Sequence, residues 1–249
     1  MSVVIKSERE IAIMRQAGKI VAMVLKLLSD TLEPGMETRE LDRIAVKEVK
    51  SLGARPSFKG YHGFPASLCV SINDEIVHGI PGKRVLREGD IVSLDFGSVY
   101  DGFQGDAAVT VGVGDIRREA RLLIDITRES LKKGIDKARE GARLGDISAA
   151  IQRHAEMGGY SVIREYTGHG IGRHMHEDPQ IPNYGEPGTG PVLRKGMVFA
   201  LEPMISIGDW HTRVGSDHWT VVTADGSLSA HFEHTIAITE GEAEVLTVA

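Results

Sequence analysis

The 249-residue sequence contains a single cysteine, Cys69. No intramolecular disulfide can form, and a zinc site built on several thiolates is excluded. There is no excess of basic charge: 29 Lys and Arg stand against 35 Asp and Glu, a formal charge of −6. That balance gives no support to bulk nucleic-acid binding, and no DNA partner is expected. Basic stretches such as Arg117–Arg121 are short and interleaved with Glu, as on a solvated helix face. No apolar run reaches the ~18 residues a membrane span needs. The longest, Ile20 to Leu28, is broken by Lys26 and reads as one helix face. The opening MSVVIKSERE carries no signal-peptide pattern, so cytoplasm is the expected compartment. No linker or low-complexity stretch divides the chain, and a single domain over 1–249 with a sizeable core is expected.

What is present begins with helical spacing. Ser7 and Glu10 have the separation of a capping box, and Ile11, Met14, Gly18, Val21, Leu25 and Leu28 follow a helical period. Thr38 can cap a second helix with Leu41, Ala45, Val49 and Leu52 inward and Gly53 as its stop. From Ser67 the period shortens to that of strands, with turns at Asn73-Asp74, Pro81-Gly82 and Asp101-Gly102. After Asp115 the order starts again. A long helix is predicted over roughly 116–139 and a shorter one over about 146–157, closed by Gly158-Gly159, before strands return.

Two alignments support an internal repeat. Pro34–Gly53 matches Glu140–Gly159 at an offset of 106, and VLREGDIVSLD (Val85–Asp95) matches VLRKGMVFALE (Val192–Glu202) at 107. The final acids, Asp95 and Glu202, coincide. Halves of about 1–115 and 116–249 would then pack about a pseudo-twofold axis, each delivering carboxylates to a shared centre.

The acids sit in unusual surroundings. Asp95 ends IVSLD, Asp106 begins DAAVTV, Glu202 ends VFALE, and Glu233 lies in HFEHTIAI; His169 lies in TGHGIG. A carboxylate on an apolar strand is costly to desolvate unless something pairs with it. One such acid is explained by a hydrogen bond, but four are harder to dismiss. Four carboxylates and an imidazole can hold two divalent cations, which activate water and polarise a carbonyl. The donor set suits Mn, Co, Fe or Zn alike.

These motifs together resemble the type I methionine aminopeptidases, a family with the fold often called pita-bread. The family's two metal-binding Asp residues, with ten residues between them, are met by Asp95 and Asp106. Its GHGIG histidine is met by His169, its EP glutamate by Glu202, and its EHT glutamate by Glu233. The likeness starts at the I-x-x-M-R-x-A-G helix (Ile11–Gly18) and covers nearly the whole chain. It implies an α+β fold of two pseudo-symmetric halves, a curved antiparallel sheet with the metals on its concave face and helices on its convex face. It implies two divalent ions, one held by Asp106, His169, Glu202 and Glu233, the other by Asp95 with Asp106 and Glu233 bridging. Glu202 would also serve as general base and proton shuttle, His78 would face the scissile amide, and His176 would stabilise the tetrahedral oxyanion. Tyr61, Phe64, Cys69, Trp219 and Met175 would line a methionine pocket, where aromatic rings and sulfur suit a thioether. Phe58 stands where the family often has cysteine and Met175 where it often has an aromatic, and both bear on pocket depth. His62, His174, His218 and His234 are left unassigned or in supporting positions behind the site residues.

The resemblance further implies a monomer acting on nascent polypeptide N-termini, on Met followed by a small residue, with transient ribosome association. The chain's own Met1-Ser2 start fits that rule. The proline-specific relatives usually carry an extra N-terminal domain, for which the arrival of the first acid at Asp95 leaves no room. Type II enzymes carry a late helical insertion, whereas only 26 positions separate His176 from Glu202. A non-catalytic protein on the same scaffold would typically lack some of the five ligands.

Overall fold

A computed structural model describes residues 3–249; the Met1-Ser2 start lies outside the described residues. Helix α1 (Glu8–Thr31) starts as its capping pattern predicts. The Ser7 hydroxyl accepts the Glu10 N–H, and the Glu10 carboxylate accepts the Ser7 N–H. Its apolar face (Met14, Ala17, Val21, Val24, Leu28) is fully buried. The Ala17-Gly18 pair has a steric cause. A Cβ on Gly105 would lie 2.8 Å from the Gly18 nitrogen, and a Cβ on Gly18 would lie 2.3 Å from the Leu246 carbonyl oxygen. Gly105 lets the helix lie this close to the strand that carries Asp106, and Gly18 lets the chain at Leu246 cross the helix.

Helix α2 (Thr38–Ser51) differs from expectation at its start. Glu37 is the capping residue, and the Thr38 hydroxyl instead accepts the Gly82 N–H at 2.8 Å, tying the helix to the loop after His78. Helix α3 is Arg118–Ile135, shorter than predicted. Gly134 packs so that a Cβ would meet Ile151 at 2.8 Å, and beyond it the chain tightens into turn bonds (Lys137 N–H to Gly134, Ala138 N–H to Ile135). Helix α4 (Leu144–Met157) starts two residues early, because the Asp146 carboxylate accepts the Arg143 N–H and so caps from inside the first turn. Helices α2 and α4 are both 14 residues long. Each is preceded by an isolated bridge, Glu37 to Val85 and Arg143 to Val192, at the two offsets found in the sequence.

Among the described residues, nine strands form one sheet in which every pairing is antiparallel. Its central order is Ile91–Tyr100, Phe103–Gly112, Glu233–Ala237, Val198–Leu201, Gly168–Gly170, so strands from before and after residue 115 meet in the middle. Asp101 and Gly102, both at positive φ, form the tight turn between the first two strands. Along Ile91–Tyr100 the side chains alternate. Val92, Leu94 and Phe96 join the core beneath α1 and α2, leaving Asp95 and Gly97 on the opposite face. Together with α3 and α4, these helices cover one side of the sheet, and the fold is the α+β architecture expected.

Candidate metal centre and adjoining pocket

The sheet register assembles the acids. Asp95 pairs with Ala108, which pairs with Glu233 on the next strand, so the three side chains form one row across three strands. The neighbouring row holds Gly97 and Asp106 on one side of the centre and Ala200 and His169 on the other. Between them Thr235 closes a gap: its hydroxyl accepts the Asp106 N–H at 3.0 Å and donates to the Asp106 carbonyl at 2.7 Å. Glu202 follows the strand Val198–Leu201 and reaches the same face. The partners beside the acids are small (Gly97, Ala108, Ala200), which leaves open space between the carboxylates.

Asp106, His169 and Glu233 each present a ligand atom within 4.8 Å of the others. The Glu202 Oε1 lies 3.6 Å from His169 Nε2. The His169 Nδ1 lies 2.8 Å from the Gly170 carbonyl, which can only accept, so Nδ1 carries the proton and Nε2 presents a lone pair. Asp95 Oδ1, Asp106 Oδ1 and Glu233 Oε1 are buried without any hydrogen-bond partner. Such orphaned oxygens are rare in native proteins and need a cause. Desolvation pushes the carboxyls of Asp106, Glu202 and Glu233 well above the usual carboxylate range, and their mutual repulsion adds to it. Burial raises Asp95 to about 7, with a partial offset from the Cys69 thiol beside it. Burial, aided by the nearby His176, pulls His169 down to about 3, so its ring is neutral. Acids that repel one another around a neutral imidazole form a strong cation site.

Every site residue expected from sequence lines one cavity of about 180 Å³: the five candidate ligands, His78 and His176, and Phe58, Tyr61, Phe64, Cys69, Met175 and Trp219. Phe64 and Trp219 meet edge to face at 5.2 Å. Gly97 opens the floor, since a Cβ there would lie 2.9 Å from both Met175 and Phe58. Tyr61 Oη lies 2.8 Å from His176 Nδ1, and the His176 and His169 rings are 4.2 Å apart. His78 is held at φ 61°, an uncommon conformation for a residue other than glycine, next to Gly79, where a Cβ would collide with the Val70 carbonyl at 2.1 Å. Burial lowers the His78 imidazole to about 4.

His62, which the sequence left unassigned or in a supporting position, also lines the cavity. His234 faces away and bonds Thr247 through Nδ1, and His174 and His218 are exposed. The structure adds His231, which the sequence reading passed over. Its ring is 1% exposed, and its Nε2 is 3.9 Å from Glu202 Oε2. The signal lies in HFEHT, where a two-residue period puts His231 and Glu233 on one face.

Comparison with known proteins agrees with this geometry. The model of metallopeptidase family M24 matches residues 12–240. A methionine aminopeptidase of Clostridium acetobutylicum is 54% identical over 247 residues, covering 99% of each chain. Methionine aminopeptidase 1 of Bacillus subtilis is 52% identical over 98% of this chain and 99% of its own. The crystal structure of a methionine aminopeptidase from Thermotoga maritima superposes with a TM-score of 0.98, at 51% identity and full coverage of both chains. Prolidase from Pyrococcus furiosus shares the fold alone, with a TM-score of 0.81 at 24% identity over 99% of this chain and 66% of that one. No helix among the described residues is long and apolar enough to cross a membrane. With its buried acids, its neutral imidazole and these relatives, the chain belongs to the type I methionine aminopeptidases of metallopeptidase family M24.

Proposed function

We propose that the chain removes the N-terminal methionine from polypeptides by metal-dependent hydrolysis when the second residue is small. The observation that carries this reading is the set of buried carboxylate oxygens without partners at one end of an apolar cavity. The donors fit a divalent ion: the acids are oxygen ligands, and the His169 lone pair supplies one nitrogen. Asp106, His169, Glu202 and Glu233 would hold one ion, and Asp95 with Asp106 and Glu233 a second, from among Co, Mn, Fe and Zn. Bound there, such ions polarise the scissile carbonyl and lower the pKa of water.

The protein's own groups do the rest. Glu202 accepts a proton from the attacking water and returns it to the leaving amine. His78, neutral at physiological pH, donates an N–H to the substrate's peptide backbone. In the tautomer where His176 Nδ1 accepts from the Tyr61 hydroxyl 2.8 Å away, Nε2 carries the proton and can donate to the carbonyl oxygen as negative charge develops. Phe58, Tyr61, Phe64, Cys69, Met175 and Trp219 enclose the methionine side chain. At about 180 Å³ the cavity falls below the ~300 Å³ usual for drug-sized ligands, so it suits one side chain.

The sheet draws its central strands from both sides of residue 115, which supports a single catalytic domain of two halves, about 1–115 and 116–249. We infer a cytoplasmic monomer that meets nascent chains in transient contact with the ribosome. The test is hydrolysis of Met-Ala-Ser and Xaa-Pro-Gly peptides by metal-stripped protein before and after Mn²⁺, Co²⁺, Fe²⁺ or Zn²⁺ is restored. Metal-dependent release of Met from the first peptide is expected. Cleavage ahead of proline whatever the first residue would move the protein to the proline-specific branch.

A further inference from the structure

We propose that His231 is a positioning residue whose ring N–H holds the free carboxylate oxygen of Glu202. The inference rests on the reading of Glu202 as metal ligand and proton carrier. His231 ends the strand Ser229–His231, and both ring nitrogens are buried without a partner. An imidazole unpaired at both nitrogens is a standing cost in a folded protein, so its retention calls for a partner in the working state. The ring has no ready retreat, because its backbone is pinned. The His231 N–H donates to the Thr110 hydroxyl at 2.9 Å, and that hydroxyl donates back to the His231 carbonyl at 2.8 Å.

The two oxygens of Glu202 face different imidazoles. Oε1 is 3.6 Å from His169 Nε2 and Oε2 is 3.9 Å from His231 Nε2. His169 cannot donate there, since its proton is spent on the Gly170 carbonyl. Asn183 donates to the Glu202 backbone carbonyl at 3.0 Å, which fixes the main chain and leaves the carboxylate free to turn. Of the two imidazoles that face Glu202, His231 is the one able to donate to it, and a small side-chain rotation closes the gap to hydrogen-bond distance. A donor at Oε2 turns Oε1 toward His169 and the other ligands, as partners behind metal ligands commonly do.

The test compares the full-length protein with His231→Leu, His231→Gln and His231→Asn. Mn²⁺ affinity is measured by calorimetry on metal-stripped samples, kcat and KM on Met-Ala-Ser, and folding by metal-free melting. His231→Leu is expected to weaken Mn²⁺ binding about tenfold and to lower kcat with KM little changed. His231→Gln, whose amide reaches the same oxygen, recovers most of both losses, and the shorter His231→Asn recovers neither. The proposal is overturned if His231→Leu matches the parent, or if His231→Gln is as impaired as His231→Leu. Should His231→Leu fail to fold, the Gln and Asn variants decide: Gln above Asn supports the donor, and equality overturns it. A parent that neither binds Mn²⁺ nor releases Met overturns the underlying reading instead.

Discussion

The groove between α3 and α4 encloses about 700 Å³, and the cavity over the acids about 180 Å³. In the groove, Lys133, Lys137, Arg139 and Arg153 stand exposed and keep their hydration. The groove's Asp146 spends its charge on the N–H groups of Arg143 and Gly188, which hold its carboxyl below the usual range. Nothing there needs a ligand. In the smaller cavity the carboxyls are pushed the other way, upward, and their oxygens lack partners. The contrast teaches that size does not mark a functional site. Clustered desolvated acids without partners do, because they must either hold protons or bind a cation.

The sharpest break of that contrast is to remove one charge without changing shape. Asp106→Asn or Glu233→Gln should lower kcat/KM by about 10³-fold or more, roughly 4 kcal/mol of transition-state stabilisation. The same variants should melt at a higher temperature than the parent when both are metal-free, because a repelling buried acid has become a neutral amide. A loss of activity with a fall in metal-free melting would instead make these acids ordinary structural groups.

Next in size are the histidines. His176→Ala and His78→Ala should each cost about 10²-fold in kcat, the range of a single donor to developing charge. Tyr61→Phe should cost less, since it removes only the hydrogen-bond partner of His176 Nδ1. Steady-state kinetics on Met-Ala-Ser with saturating Mn²⁺ checks the order; Tyr61→Phe falling below His176→Ala would contradict it.

A smaller effect concerns pH. Unfolded carboxyls ionise near ~4, whereas Asp95 is raised to about 7 in the fold and Asp106, Glu202 and Glu233 also lie above their ordinary values. Above ~7.5, about one unit over the unfolded histidine value, the buried histidines are neutral in both states, so the acids set the slope. The native state then binds more protons than the unfolded one, and stability falls as pH rises. Metal-free protein should therefore melt lower at pH ~8.5 than at ~7.5, and added Mn²⁺ should stabilise it more at the higher pH. Scanning calorimetry at both pH values gives the comparison, and a metal-free melting temperature that climbs with pH would count against it.

Least of all should change in the groove. Lys133→Ala and Arg153→Ala are expected to leave kcat/KM within about twofold and melting nearly unaltered, as for solvated surface charges. A tenfold loss in either would tie the groove to catalysis.

The candidate ligands were legible in sequence because each stands in an apolar strand or a glycine-rich loop, where an ionisable side chain is out of place. The repeat was legible as well, since Asp95 and Glu202 close matching segments. Helix ends were less so. Asp146 looked like the start of α4 but caps from its third residue, and Thr38 bonds the Gly82 backbone in place of its own helix. The Thr38 outcome depends on a contact made across the fold, whereas the Asp146 cap is local and differs only in which turn position carries the acid. His231 was missed for a related reason: a lone histidine beside an acid is unremarkable until its unpaired nitrogens are seen next to Glu202.

The central claim is that the partnerless acids are cation ligands. It is tested most directly by the anomalous-difference map of a crystal of the protein soaked in Mn²⁺. The account predicts peaks in contact with His169 Nε2 and the carboxylates of Asp106 and Glu233, with Asp95 at a second peak. A map without a peak among these residues would contradict it.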